Sequence, residues 1–327
     1  MDNKTVLVLG AGFTRAIVPT APLIRGDFGV PSLIAEFANL KSAKSVLERA
    51  VIPGTGGHVN LEDLLTRLMG MPYDTADARH EFALVTSRLL SEVVTKIASA
   101  KIAGVDDVTV RRLASAISNS GASVVTFNYD DVLDKALYEM FPMTDARPEH
   151  WHPDGGYGFL CLPSRATVVT GPIWMNVCAT LLLKLHGSIN WRCRLGVVGP
   201  RSPNDVLHHE AWFHEENRFH LSQPELTLGD LEGYLEHDAL IIPPVLLKHE
   251  LTLHPVMRLV WTHARSRLLE ATHVTFVGYS FPITDLAAKT LFRETLTHRT
   301  DVSVRVVTCR LSSDLNIFGD GSVGDGC

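Results

Sequence analysis

The sequence predicts an α/β fold: a parallel sheet with helices on both faces and a helical insertion subdomain. Three observations predict it. Short apolar, β-branched runs recur along the chain, each bounded by glycine or polar residues. Longer stretches with apolar positions three and four residues apart separate them, as a helix covering a sheet requires. Four of the short runs also end in a compact polar or glycine motif, and the strand ends of an open parallel sheet converge on one crevice.

In chain order, "KTVLVL" (4 to 9) is a continuous apolar run that meets Gly-Ala-Gly, a buried strand turning into a helix. Residues 32 to about 119 carry helical periodicity, as in "PSLIAEFANL", "EDLLTRLM" and "EFALVTSRLLSEVVTKIASA", and form the expected helical insertion. "ASVVTF" (122 to 127) is a second strand, and "DDVLDKALYEMF" is a helix with acids in its first turn. Residues 142 to 238 form an irregular insertion, interrupted by the strand "TLLLKLH". "ALIIPP" (239 to 244) reads as a strand stopped by prolines, and "PVMRLVWTHARSRLLEA" (255 to 271) as a helix. "HVTFVG", "ITDLAAKTLFRETL" and "VSVRVVT" complete a strand, helix, strand series. One domain is expected over 1–310, and the Gly/Asp-rich 311–327 reads as a flexible tail.

Composition excludes several function classes. With 30 Lys and Arg against 36 Asp and Glu, the formal charge is −6 and no basic run occurs, which argues against nucleic acid as the main partner. No segment reaches the roughly 18 uninterrupted apolar residues of a membrane helix, and no signal peptide precedes the first strand, so a cytoplasmic protein is expected. The five cysteines (Cys161, Cys178, Cys193, Cys309, Cys327) contain no CxxC pair, against a zinc ribbon or a disulfide framework. The 15 histidines raise the question of metal, but neither "HHEAWFHEENRFH" nor "HELTLH" has helical ligand spacing, and no metal site is expected.

The four strand-end motifs carry the chemistry. They are Gly10-Ala11-Gly12-Phe13-Thr14-Arg15, Asn128-Tyr129-Asp130-Asp131, His186-Gly187-Ser188 and Gly278-Tyr279-Ser280. Two glycines at a helix start can let backbone N–H groups approach a pyrophosphate, or simply make a tight turn; Arg15 stands where a third glycine is usual. Asn128 with two acids can cap a helix, grip ribose hydroxyls or orient a water. His186 is either a structural strand-end histidine or a base near neutral pH, and Trp191 either walls the site or belongs to the core. From the residues alone, each of these readings stays open.

Together and in this order, "LGAGFTRA", "TFNYDD", "KLHGSINW" and "VGYSFPITD" resemble the SIR2-like proteins of prokaryotes, sirtuin relatives found as NAD-consuming effectors in antiphage defence. The resemblance runs from about Val6 to Arg310. It implies a Rossmann-like NAD site, with Gly10, Ala11, Gly12, Thr14 and Arg15 at the pyrophosphate. It further implies Asn128 and His186 as catalytic residues, Asp130 at the substrate, and Gly278 and Ser280 towards the adenosine. The sirtuin deacetylases carry a zinc module on two CxxC pairs, and this sequence has none, which turns the expectation from deacylation to NAD hydrolysis.

In that chemistry nicotinamide leaves as a neutral molecule, and the site must tolerate an oxocarbenium-like ribosyl cation. Asn128 would orient water or a ribose hydroxyl, His186 would take a proton, and Asp130 would counter positive charge or fix the ribose. The competing expectations are a sensor that binds NAD or ADP-ribose without turnover, and an ADP-ribosyltransferase using the same pocket. Free NAD hydrolysis is toxic, so an activating partner protein or assembly into a homo-oligomer is also expected.

Overall fold

The computed structural model of the chain describes residues 4–23, 25–70, 75–140, 151–159, 161–163, 180–194, 206–208, 237–245, 255–282 and 284–307. β1 (Thr5–Leu9) buries Val6, Val8 and Leu9 and passes through Gly10 into α1 (Ala11–Ile17). β2 (Arg25–Gly29) is followed by α2 (Pro31–Glu36), which opens on a proline whose missing N–H costs nothing at a helix start. Next come α3 (Lys41–Ala50), β3 (His58–Asn60) and α4 (Leu61–Gly70), with Glu62 and Asp63 at the positive end of α4. β2 and β3 pair antiparallel; β3 falls inside the stretch of 32 to 119 whose periodicity predicts helix, and β2 just before it.

α5 (Ala76–Ala103) starts where the Thr75 hydroxyl accepts the Ala78 N–H at 3.1 Å. α6 (Asp107–Ser120) is capped by Asp106, which accepts the Thr109 N–H at 3.1 Å, and is ended by Gly121 at φ 62°, a conformation glycine adopts without strain. β4 (Ser123–Thr126) is buried at every residue, and α7 (Val132–Met140) follows. After α8 (Pro153–Gly156) come β5 (Leu162–Pro163), β6 (Leu182–Lys184), β7 (Gly187–Arg194), β8 (Val206–His208) and β9 (His237–Ile241). α9 (Pro255–Glu270), β10 (His273–Val277), α10 (Leu286–Leu296) and β11 (Ser303–Val307) complete the series.

Five strands form one parallel sheet in the order β11-β10-β1-β4-β6. The chain moves outward from β1 through β4 to β6, then returns to the other side of β1 with β10 and β11. Strand order therefore reverses between β1 and β10, and ligands of such sheets bind beyond the carboxyl ends at that place. Helices flank the sheet in two packed groups, α6 with α7 and α9 with α10, which makes the fold α/β and Rossmann-like as expected.

Two elements differ from their expected places. "ALIIPP" supplies β9, which joins a separate sheet (β5-β8-β7-β9) and runs antiparallel to β7. The apolar run shows a buried strand, but nothing in it distinguishes parallel from antiparallel neighbours. The expected insertion of 32 to 119 divides as well. Phe28, Leu33, Leu47, Leu64, Phe82 and Leu89 belong to a second core, whereas Val110, Ala114 and Ile117 of α6 belong to the core of the sheet. α5 joins the two, with Val85 and Val93 in the second core and Ala100 in the first. Most of the irregular insertion and the whole of 311–327 lie outside the described residues.

Candidate functional site

At the reversal point, the two strand ends lock together. The Gly10 N–H donates to the Val277 carbonyl at 3.1 Å and the Gly12 N–H to the Gly278 carbonyl at 2.9 Å. A Cβ on Gly10 would lie 2.6 Å from the Gly278 oxygen, and one on Gly278 (φ 61°) 2.1 Å from the Phe13 nitrogen. These glycines are therefore required by the approach of one backbone to the other. Of the backbone donors expected at a pyrophosphate, Gly12 already serves Gly278, and Phe13 donates to Gly10 at 2.9 Å.

Beside this lock, the ends of β1 and β4 meet through side chains. Asn128 Nδ2 donates to the Gly10 carbonyl at 2.9 Å and to Thr14 Oγ1 at 2.8 Å. The Thr14 hydroxyl in turn donates to Asp130 Oδ2 at 2.7 Å, and Asp130 Oδ1 accepts the Val132 N–H at 3.2 Å, opening α7. Both hydrogens of the Asn128 amide are thus used and its orientation is set. Its Oδ1 is the atom that can accept from a water or a ribose hydroxyl. Ala11, Thr14, Asn128 and Asp130 line a cavity of about 90 Å³, closed from the insertion side by Ile97 and Lys101 of α5.

Lys101 is held over the cavity by an ion pair with Asp131. Burial would raise the Asp131 carboxyl, but the Lys101 ammonium beside it prevails and holds it below the ordinary carboxylate value. Thr20 Oγ1 adds a hydrogen bond to the Ala100 carbonyl at 3.2 Å.

His186 lies on the two-residue turn by which the chain leaves β6 for β7 and changes sheets. Gly187 follows at φ 81°, where a Cβ would meet the Leu240 carbonyl oxygen at 2.0 Å, so the backbone that approaches closely there is that of β9. The imidazole is buried, edge-on to Phe127 with centroids 5.1 Å apart, and its Nε2 lies 3.2 Å from Asp285 Oδ2. The tautomer that donates from Nε2 to this carboxylate carries its acceptor lone pair on Nδ1. Asp285 also caps α10, accepting the Ala288 N–H at 3.2 Å through Oδ1. Tyr129, packed near His186, donates its hydroxyl to the Ile242 carbonyl at 2.7 Å; burial and then the Asp285 charge push that phenol above its ordinary value.

The structure thus brings Ala11, Thr14, Asn128 and Asp130 to one cavity, with Gly10 tied to it through Asn128, His186 across Phe127, and Gly12 and Gly278 in the glycine turn behind. It does not bring two others into that network. Ser280 is exposed, and Arg15 is an exposed residue whose guanidinium donates to the Ala21 carbonyl. Trp191 is wholly buried against Tyr157 and Phe159 and is core. Sequence reasoning missed Asp285 and Lys101, one of which reads as a helix cap and the other as a helix-surface cation. Among the described residues no group of His, Cys, Asp and Glu is placed to hold a metal ion. "HELTLH", and "HHEAWFHEENRFH" beyond His208, lie outside those residues. Among them, no helix is long and apolar enough to cross a membrane.

No family model and no curated relative matches the chain. Among solved structures, one described as "Structural Basis for the Mechanism and Regulation of Sir2 Enzymes" aligns over 99% of this chain and 87% of that one, with 12% identity and a TM-score of 0.44. At that distance the likeness carries no argument about activity, and the α/β assignment stands on the strand order and register described above.

Proposed function

We propose that the chain is an NAD⁺ hydrolase that cleaves the ribose–nicotinamide bond to give nicotinamide and ADP-ribose. One observation supports this reading above others. An oriented amide, a hydroxyl and a carboxylate (Asn128, Thr14, Asp130) line a cavity at a parallel-sheet crevice, beside a histidine backed by a carboxylate. Water adds to the ribosyl carbon, nicotinamide leaves neutral, and the proton lost by the water passes to His186 and then to solvent. Asn128 Oδ1 orients the attacking water or a ribose hydroxyl, and Asp130 offers negative charge to the ribosyl cation. A positioned base contributes about 10²–10⁴-fold to such a step. The motif resemblance to SIR2-like defence proteins supports the same substrate and an antiphage role, with activity held back until triggered.

Among the described residues, His186 does not line the cavity that Asn128 and Asp130 line, which favours a second reading: a chain that binds NAD or ADP-ribose and senses it for a partner without turning it over. Incubation with NAD⁺ labelled in the adenosine half separates the readings. Free ADP-ribose with equimolar nicotinamide supports hydrolysis, and label on macromolecule supports transfer. Binding without products, in the presence of a trigger or in the assembled form, supports the sensor.

A further inference from the structure

Directly beneath the Asn128 loop lies a second polar network that the chemistry above does not use. Lys184 on β6 is wholly buried and pairs with Asp134 of α7 at 3.1 Å, itself 2% exposed at the side chain. Its ammonium also donates to the main-chain carbonyl of Asp130. Asp134 accepts the Tyr157 hydroxyl at 2.6 Å, and that oxygen accepts from Asn190 Nδ2 at 3.1 Å. The Ser188 hydroxyl stands between Asn190 Oδ1 and the Tyr129 carbonyl, which lies 3.3 Å away and also accepts the Ile189 N–H at 2.9 Å. Burial pushes the Asp134 carboxyl above its ordinary value, against the pull of Lys184.

Stability does not explain such a network. Removing two charges from water costs several kcal/mol per ion, and an apolar pair of the same volume is often as stable or more so. Its geometry has another use. The loop from Asn128 to Asp131 has no regular structure of its own, yet groups from β6 and β7 take up two of its successive carbonyls, Tyr129 and Asp130. Lys184 is also two residues from His186 on the same strand end.

We propose that Lys184, with Ser188 beside it, is a positioning residue that sets Asn128 in register with His186. The strand end that delivers the histidine also holds the loop that delivers the asparagine. This rests on reading Asn128 and His186 as the reacting pair, and a misplacement of about 1 Å between such groups can cost about 10²-fold in rate.

The test is the double variant Lys184→Met/Asp134→Asn, which removes both charges and nearly keeps the volume, with Ser188→Ala as the milder companion should the double variant not fold. Hydrogen exchange is followed at the amides of 128–131 and of β1 and β10, beside kcat and KM for NAD⁺. The expected result is exchange about 10-fold or more faster in the loop, unchanged exchange in β1 and β10, and a kcat lowered by about 10²-fold at nearly constant KM. Ser188→Ala gives a smaller change of the same kind. Unchanged loop exchange, or parent kcat in the folded double variant, overturns the proposal; faster exchange across every strand overturns it also, because that is a global structural effect. If the parent releases no nicotinamide, the hydrolase reading fails alone, and the loop exchange still decides the role of Lys184.

Discussion

Replacing Gly278 by alanine tests the lock between β1 and β10 on which the site is built. At φ 61° an L-residue pays about 1–2 kcal/mol, whatever its surroundings. Here the new methyl would also stand 2.1 Å from the Phe13 nitrogen and 2.5 Å from the Gly12 carbonyl carbon, where contacts of about 3.5 Å or more are normal. Both neighbours are backbone and cannot rotate away, so the strand ends must separate. That overpacking costs about 1–3 kcal/mol, and the 2.9 Å bond from Gly12 to Gly278, worth about 1 kcal/mol, is stretched or lost. Gly121→Ala is the control, because Gly121 has φ 62° but no atom within 4 Å of its Cβ position. Urea denaturation of both variants should place Gly278→Ala about 2–4 kcal/mol below Gly121→Ala. Equal losses would show that the two strand ends are not in contact as described.

Three further outcomes follow from the site. Asp285→Asn keeps the cap on α10, since asparagine caps as well as aspartate, but removes the charge facing His186; stability should hold while nicotinamide release falls about 10- to 100-fold, measured by chromatography. Thr14→Val takes one hydrogen bond each from Asn128 Nδ2 and Asp130 Oδ2 and should cost about 1–3 kcal/mol in denaturant titration, with loss of turnover. Lys101→Met removes the ion pair that depresses the Asp131 carboxyl. A depressed carboxyl adds stability above its unfolded value of about 3.9, and that contribution is lost as pH falls through the lower folded value. The deficit of Lys101→Met against the parent should thus be largest near neutral pH, shrink as pH falls past about 4 and vanish only below the depressed folded value, in thermal melts.

Much of this arrangement is legible in the sequence because strand ends announce themselves. An apolar run followed by Gly-Ala-Gly, Asn-Tyr-Asp or His-Gly-Ser reads as a strand end whichever role its polar residues play, and parallel topology makes those ends neighbours. What is not legible is pairing at a distance. Asp285 satisfies every local demand of a helix cap, so nothing nearby reveals that its second oxygen faces His186. Lys101 reads as one cation among many on a helix of mixed polarity, and only tertiary packing brings it to Asp131. Helical periodicity shows that α6 buries one face but not which core receives it, so nothing in the pattern separates α6 from the rest of the expected insertion of 32 to 119. The glycines of "GAG" leave a pyrophosphate turn and a plain tight turn equally open, and only the structure shows Gly10 and Gly12 in contact with Gly278.

The most direct test of the account is the release of nicotinamide from NAD⁺ by the parent, Asn128→Ala and His186→Ala, with NAD⁺ affinity measured by calorimetry on each. The account predicts release by the parent and a loss of about 10²-fold or more in both variants, which still fold and bind. Release at the parent rate by either variant would remove that residue from the chemistry. A parent that neither binds nor cleaves NAD⁺ would contradict the assignment of this crevice altogether.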